Sequence, residues 1–183
     1  MDGNSFRILV ICTANICRSP MTEALLRSAV EKRGLDVLVE SAGFLFQDKE
    51  ATPVVVDIMG ERGLDISSHR SRKVTAEIVN TADLIVAMER RHVRDLTLLA
   101  DDAVSRIDTI GGLVARLHGV DGESPAQRIS AAIAPRVAGD MLGRGADEVD
   151  DPFGKSKRVN RATADRLTEL SQALIDGVFA PKV

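Results

Sequence analysis

A chain of 183 residues, 44% apolar and 28% charged, has the length and balance of one domain with its own core. Its net charge of −3 supplies no global positive field for nucleic acid or an anionic membrane, and with no Trp, no Tyr and five Phe it has little with which to stack bases. Two cysteines exclude a disulfide framework and three histidines without ligand spacing exclude a structural zinc site, so neither metal nor cofactor is expected.

No apolar run approaches the length of a membrane span, and the start, MDGNSFRILVICTANICRSP, is polar and proline-containing rather than signal-like. The expectation is a cytoplasmic protein. Ile8 to Cys12 is short and β-branched, the pattern of a buried strand. Ser19-Pro20 then reads as an N-cap followed by proline at the first helical position. Met21, Ala24, Leu25, Ser28 and Ala29 recur at helical spacing until Gly34. Val37 to Glu40 reads as a second strand ending at Ser41-Ala42-Gly43. Thr52-Pro53 opens a helix that ends near Gly63, and Thr75 to Asn80 reads as a short one.

Ala82 to Met88 has the composition of a third buried strand, Arg90 to Ala100 of a helix, and Val104 to Ile107 of a fourth strand. Ser156 to Ala180 is strongly amphipathic, with Val159, Thr163, Leu167, Leu170, Leu174 and Val178 on one face. Strands alternating with helices predict an α/β fold: one doubly wound sheet of about four parallel strands, flanked by helices, in a single domain over 1–183. Residues 111–150 are less defined. Helical decoration, a mobile substrate-selecting segment and a homodimer surface all remain open for them.

The chemistry concentrates in Cys12-Thr13-Ala14-Asn15-Ile16-Cys17-Arg18-Ser19. A cysteine followed six positions later by arginine is weak by itself, but this one starts where a strand ends and finishes where a helix begins. Successive backbone N–H groups and the positive helix end make that place an anion site. Such surroundings lower a thiol's pKa from about 8.5, so Cys12 is expected to act as a thiolate. Arg18 offers a planar fork for two phosphate oxygens. The bland alternative is a buried structural Cys12 and a surface Arg18.

These residues resemble the low-molecular-weight protein tyrosine phosphatases, whose loop signature is met by Cys12, Asn15, Ile16, Cys17, Arg18, Ser19 and Pro20. Ser41-Ala42-Gly43, the Asp65-x-Ser67-x-His69-x-Ser71-Arg72 block, Ala82-Asp83 to Met88, and Asp151-Pro152-Phe153 look like further family blocks, in family order. The resemblance implies that Cys12 is the nucleophile and that residues 13–18 bind phosphate, namely Thr13, Ala14, Asn15, Ile16, Cys17 and Arg18. It implies that Asn15, Ser19, Ser41 and His69 hydrogen-bond to one another to hold the loop open, and that Asp151 is the general acid and then base. Asp150 competes for that role, but only Asp151 occupies the pre-proline position. Cys17 reads either as a small buried hydrophobe or, by the resemblance, as a resolving thiol for oxidised Cys12.

Two departures stand out. Ala14 replaces the usual glycine, a cost if that position needs a positive φ. Where the family often carries an aromatic wall the count gives Gln47, so Phe44, Phe46 and Phe153 are the remaining apolar candidates for the pocket. Ile16 is what tyrosine phosphatases of the family carry; relatives acting on phosphoarginine tend to carry a smaller polar residue. The expected substrate is therefore a phosphotyrosine protein or a small aryl phosphate. A thiol-dependent arsenate reductase on the same loop and a non-catalytic phosphate-binding regulator are the rival readings, with no nucleic acid or membrane partner in any of them.

Overall fold

The computed structural model describes residues 5–180. Strand β1 (Phe6–Cys12) is central and pairs in parallel with β2 (Val37–Gly43) on one side and β3 (Leu84–Ala87) on the other. Strand β4 (Ile107–Thr109) extends the sheet beyond β3, giving the order β2-β1-β3-β4. Alternation along β1 splits the core: Ile8, Val10 and Cys12 belong to one cluster, Leu9 and Ile11 to the other.

Helices α1 (Arg18–Lys32), α2 (Pro53–Gly60), α5 (Ile110–Leu117), α6 (Pro125–Ile133) and α7 (Lys157–Val178) bury residues in the first cluster. Helices α3 (Ala76–Asn80) and α4 (Arg90–Leu99) cover the second. The connections from β1 lead first to β2 on one side and later to β3 on the other. The switch point therefore lies between β1 and β3, and a ligand cleft is expected beyond their carboxyl ends.

Three expectations need correction. The fourth strand is not Val104–Ile107: Asp101–Arg106 winds into a 3-10 turn, and only Ile107–Thr109 pairs with β3. The β-branched pair straddles the turn's end, which leaves Val104 exposed. Helix α1 starts one residue before Ser19, with Cys17 at the cap and no side-chain cap bond. Ser19 is no cap because its hydroxyl is turned into the loop, and Pro20 falls inside the first turn, where its missing N–H costs nothing.

On α7 the buried stripe is Asn160, Ala164, Leu167, Ser171, Leu174, Ile175 and Val178, while Val159 is exposed. Apolar spacing misplaced the first turns because Asn160 and Ser171 are polar residues on the inward face. Residues 111–150 carry α5, capped by Thr109, and α6, capped by Ser124 with Pro125 at its first position. Ile129, Ala132 and Ile133 of α6 are buried. Among the described residues, no helix is long and apolar enough to cross a membrane.

Candidate active site

The chain leaves β1 at Cys12 and turns through residues 13–17 into α1, so this loop sits at the switch point. Its turn requires one left-handed residue, and that residue is Asn15 (φ 55). Ala14 does not have a positive φ, so replacing glycine there carries no backbone penalty. Asn15 belongs to the non-glycine types that tolerate this conformation, and its surroundings over-determine it. Its amide Nδ2 donates to Ser19 Oγ and Ser41 Oγ, each at 2.8 Å. Its Oδ1 accepts from the Arg72 backbone N–H at 2.8 Å, and its carbonyl accepts from His69 Nε2 at 2.8 Å. Gly43 is obligatory beside it, since a Cβ there would lie 2.8 Å from the Asn15 nitrogen.

With Cys12 as a thiolate, which can only accept, the proton directions in this network follow. Ser41 donates to Glu23 Oε2 at 2.5 Å and so accepts from Asn15. Ser19 accepts from Asn15, which leaves its own proton for Cys12 Sγ, 3.0 Å away. The Asn15 backbone N–H also points at that sulfur, at 3.2 Å. Asn15 from the middle of the loop and Ser19 from the first turn of α1 thus converge on Cys12. The carboxylate of Glu23 anchors the far end of the chain and borders a cleft of about 520 Å³ lined also by Arg27, His69 and Arg72.

Arg18 is 1% exposed, and its guanidinium is held from several sides. Nη1 donates to Glu89 Oε1 at 2.5 Å and to the Val149 carbonyl at 2.8 Å. Nη2 donates to Asp151 Oδ2 at 2.9 Å and to Thr13 Oγ1 at 3.3 Å. Asp151 also accepts the Phe153 N–H through Oδ1 at 3.1 Å, an Asx turn. The strap that carries it is tied to β3 and α4. Val149 N–H donates to the Met88 carbonyl at 2.8 Å, and Arg90 grips Asp147 through Nε and Nη2. Asp150, the competitor, pairs with exposed Arg144 instead.

Burial works to raise the Glu89 pKa, but hydrogen bonds from Arg91 and Arg18 outweigh it and bring the carboxyl down to about 2. Burial pushes His92 down to about 3, so this ring is neutral at pH 7. It stacks on Phe44 with centroids 5.7 Å apart, and its Nε2 lies 2.9 Å from Thr13 Oγ1. Thr13 Oγ1 already accepts from Arg18 and Arg91, so its proton goes to His92 Nε2, making the ring an acceptor there. Cys17 is buried with Sγ 3.3 Å from Thr52 Oγ1, and burial raises its thiol to about 11.

Of the expected pocket residues, Ile16 is partly buried against the core, while Phe46 and Phe153 are exposed. Gln47 is turned aside, its Oε1 accepting from the Lys73 N–H at 3.0 Å. Glu23, Glu89, Arg91 and His92 were missed by sequence reasoning. A signal for Glu89 existed: in a parallel sheet the residues just beyond β3 stand beside those just beyond β1, so Met88-Glu89 had to adjoin the Cys12 loop.

A thiol facing two donors and an arginine fork on one loop, with a carboxyl group brought to them by the strap, suit nucleophilic displacement at phosphorus, the work of a cysteine-dependent phosphatase. The model for low molecular weight phosphotyrosine protein phosphatases matches residues 7–128, and the chain belongs to that family. Bacillus subtilis protein-arginine-phosphatase is 32% identical over 168 residues, covering 91% of this chain and 93% of its own. A probable low molecular weight protein-tyrosine-phosphatase, EpsP, of Ralstonia solanacearum is 34% identical over 140 residues, 76% of this chain and 90% of the relative. Among solved structures, a T. tengcongensis low molecular weight protein tyrosine phosphatase superposes with TM-score 0.73 at 30% identity, covering 94% of this chain and 99% of that one. An arginine phosphatase, YwlE, carrying a phosphorylated active-site serine gives TM-score 0.75 at 29% identity, with 96% and 97% covered.

Proposed function

We propose that this phosphatase hydrolyses aryl phosphate monoesters, phosphotyrosine in a protein or a small aryl phosphate, through a phosphocysteine on Cys12. One observation carries the assignment of roles: Cys12 receives donors from Asn15 and Ser19 while Arg18, on the same loop, meets Asp151 at 2.9 Å. The incoming phosphate dianion takes the Nη2 edge of Arg18 and displaces the Asp151 carboxylate, whose side chain is 44% exposed and has room to turn. The amides of residues 13–18 bind its oxygens.

The Cys12 thiolate attacks phosphorus as the P–O bond to the phenol breaks, and Asp151, which takes a proton from solvent on leaving Arg18, delivers it to the leaving oxygen. Asp151, now a carboxylate, takes a proton from water. The water oxygen attacks phosphorus, the S–P bond breaks, and inorganic phosphate leaves with Cys12 restored as thiolate. Arg18 holds the equatorial charge throughout, kept in place by Glu89 and the Val149 carbonyl.

The aryl preference rests on Ile16, whose branched apolar side chain favours the face of a ring over a guanidinium that needs acceptors. Exposed Phe46 and Phe153 offer further apolar contact. The similarity to an arginine phosphatase makes phosphoarginine the competing substrate. Steady-state hydrolysis of both compounds decides between them: kcat/KM is expected to favour phosphotyrosine, and Ile16→Thr to narrow the gap. Faster turnover of phosphoarginine by the unaltered protein would overturn the preference. Cys12→Ser should abolish turnover, and Asp151→Asn should cost more on poor leaving groups than on good ones. Arsenate reduction with an added thiol, without phosphate ester hydrolysis, would instead favour the reductase reading.

The same reading makes Cys17 the resolving thiol. Peroxide converts Cys12 to a sulfenic acid, and Cys17 displaces water from it to form a disulfide. A cytoplasmic location, where thiols stay reduced, suits a catalyst with two free cysteines.

A further inference from the structure

Arg91, in the first turn of α4, lies at the mouth of the site without a part in the chemistry above. Its Nε donates to Glu89 Oε2 at 2.8 Å, and its Nη2 donates to Glu89 Oε1 at 3.2 Å and to Thr13 Oγ1 at 2.8 Å. The side chain is nevertheless 49% exposed, and Nη1 has no hydrogen-bond partner among the described residues. A long side chain that would ordinarily sample many rotamers is held on the phosphate loop with one donor edge unused.

The charges give that edge a purpose. Arg18 and Arg91 share the single negative charge of Glu89, and in the free protein Asp151 supplies a second. Once Asp151 turns to the leaving group, the phosphate dianion takes its place on Arg18, and Arg91, paired with Glu89 alone, is the guanidinium that still faces solvent. Arg18 is buried under the phosphoryl group, whereas Arg91 stands beside it and faces outward. A bridge serving only to steady Glu89 would not need Nη1 in solvent.

We propose that Arg91 is a specificity-determining residue that binds a carboxylate flanking the phosphorylated side chain, so that acidic phosphopeptide segments are the favoured substrates. This rests on the reading that the phosphoryl group docks at Cys12. The geometry favours a carboxylate because Arg91 offers a planar edge already fixed in direction, suited to a second anion adjoining the first.

The test uses end-blocked phosphotyrosine peptides that differ only in Glu or Ala next to the phosphotyrosine. Their affinities for the Cys12→Ser protein, with and without Arg91→Gln, are read by fluorescence anisotropy, and kcat/KM is read on the wild type and on Arg91→Gln. The Glu peptide is expected to bind about fivefold tighter, the worth of one partly exposed ion pair. That preference should shrink as salt rises from about 50 to about 500 mM, and Arg91→Gln should bring the ratio close to one. Equal affinity for the two peptides, or an equal loss of both on Arg91→Gln, overturns the proposal and leaves Arg91 as a brace for Glu89. Preferential binding of the Glu peptide without turnover of either peptide keeps the proposal and overturns the hydrolase reading. Binding that ignores the phosphate defeats both.

Discussion

The catalytic sulfur owes its surroundings to Asn15, which spends its backbone conformation, its amide and its carbonyl on a single purpose. A left-handed non-glycine residue costs roughly 1–3 kcal/mol, and the partners Ser19, Ser41, Arg72 and His69 offset it. Asn15→Ala therefore leaves the same backbone demand without the three side-chain bonds, and kcat/KM should fall by about a hundredfold as the loop loses its geometry. A variant with near-normal kcat/KM would contradict that role. His92 is the other residue whose environment sets a measurable property. It is neutral in the folded protein down to about pH 3, against about 6.5 when unfolded. The unfolded chain thus binds the extra proton between those values, and stability present above pH 6.5 is lost as pH falls toward 3. The slope from this one group is at most about 1.4 kcal/mol per pH unit. Urea denaturation of wild type and His92→Gln from pH 7 to pH 4 should show the flatter dependence in the variant; parallel curves would refute the assignment.

At the level of elements, α7 does more than fill the core. Asn160, one turn in, donates from Nδ2 to the carbonyls of Pro152, Lys155 and Ser156 at 3.1–3.2 Å. It thereby ties the helix to the turn that follows Asp151. Asn160→Leu strands the Lys155 carbonyl, while those of Pro152 and Ser156 keep the backbone N–H of Lys155 and of residue 160, and it should cost about 1–3 kcal/mol of stability. It should also steepen the dependence of kcat on leaving-group pKa, as Asp151→Asn does, while Lys155→Ala should not. An unchanged dependence would make Asn160 a purely structural residue. The helices and strands were largely legible because apolar period and helix-start chemistry agree, as at Pro53, which opens α2, and at Ser156, which caps α7. What could not be read was polar. Ser19 looks like a cap until its hydroxyl is claimed by Cys12, and Asn160 looks like a surface residue until three carbonyls claim it. In both places a tertiary partner overrode the local signal. The motif made Cys12, Arg18 and Asp151 visible, but the engagement of Arg18 by Glu89 and of Thr13 by Arg91 depends on which strand ends the sheet brings together.

For the molecule as a whole, the order β2-β1-β3-β4 places the Cys12 loop, the end of β3 and the Asp151 strap around one point. Residues separated by 133 positions meet there, since Arg18 and Asp151 share a hydrogen bond. The sheet brings together the residues proposed as nucleophile, clamp and acid. If that convergence performs phosphoryl transfer, the covalent intermediate must exist and must depend on Asp151 for its breakdown. Rapid-quench mass spectrometry of Asp151→Asn with p-nitrophenyl phosphate, whose leaving group needs little protonation, reads this directly. The account predicts a phosphoryl group on Cys12, accumulating toward one per molecule and absent from Cys12→Ala. Turnover with no phosphate on Cys12, or phosphate on another residue, would contradict it.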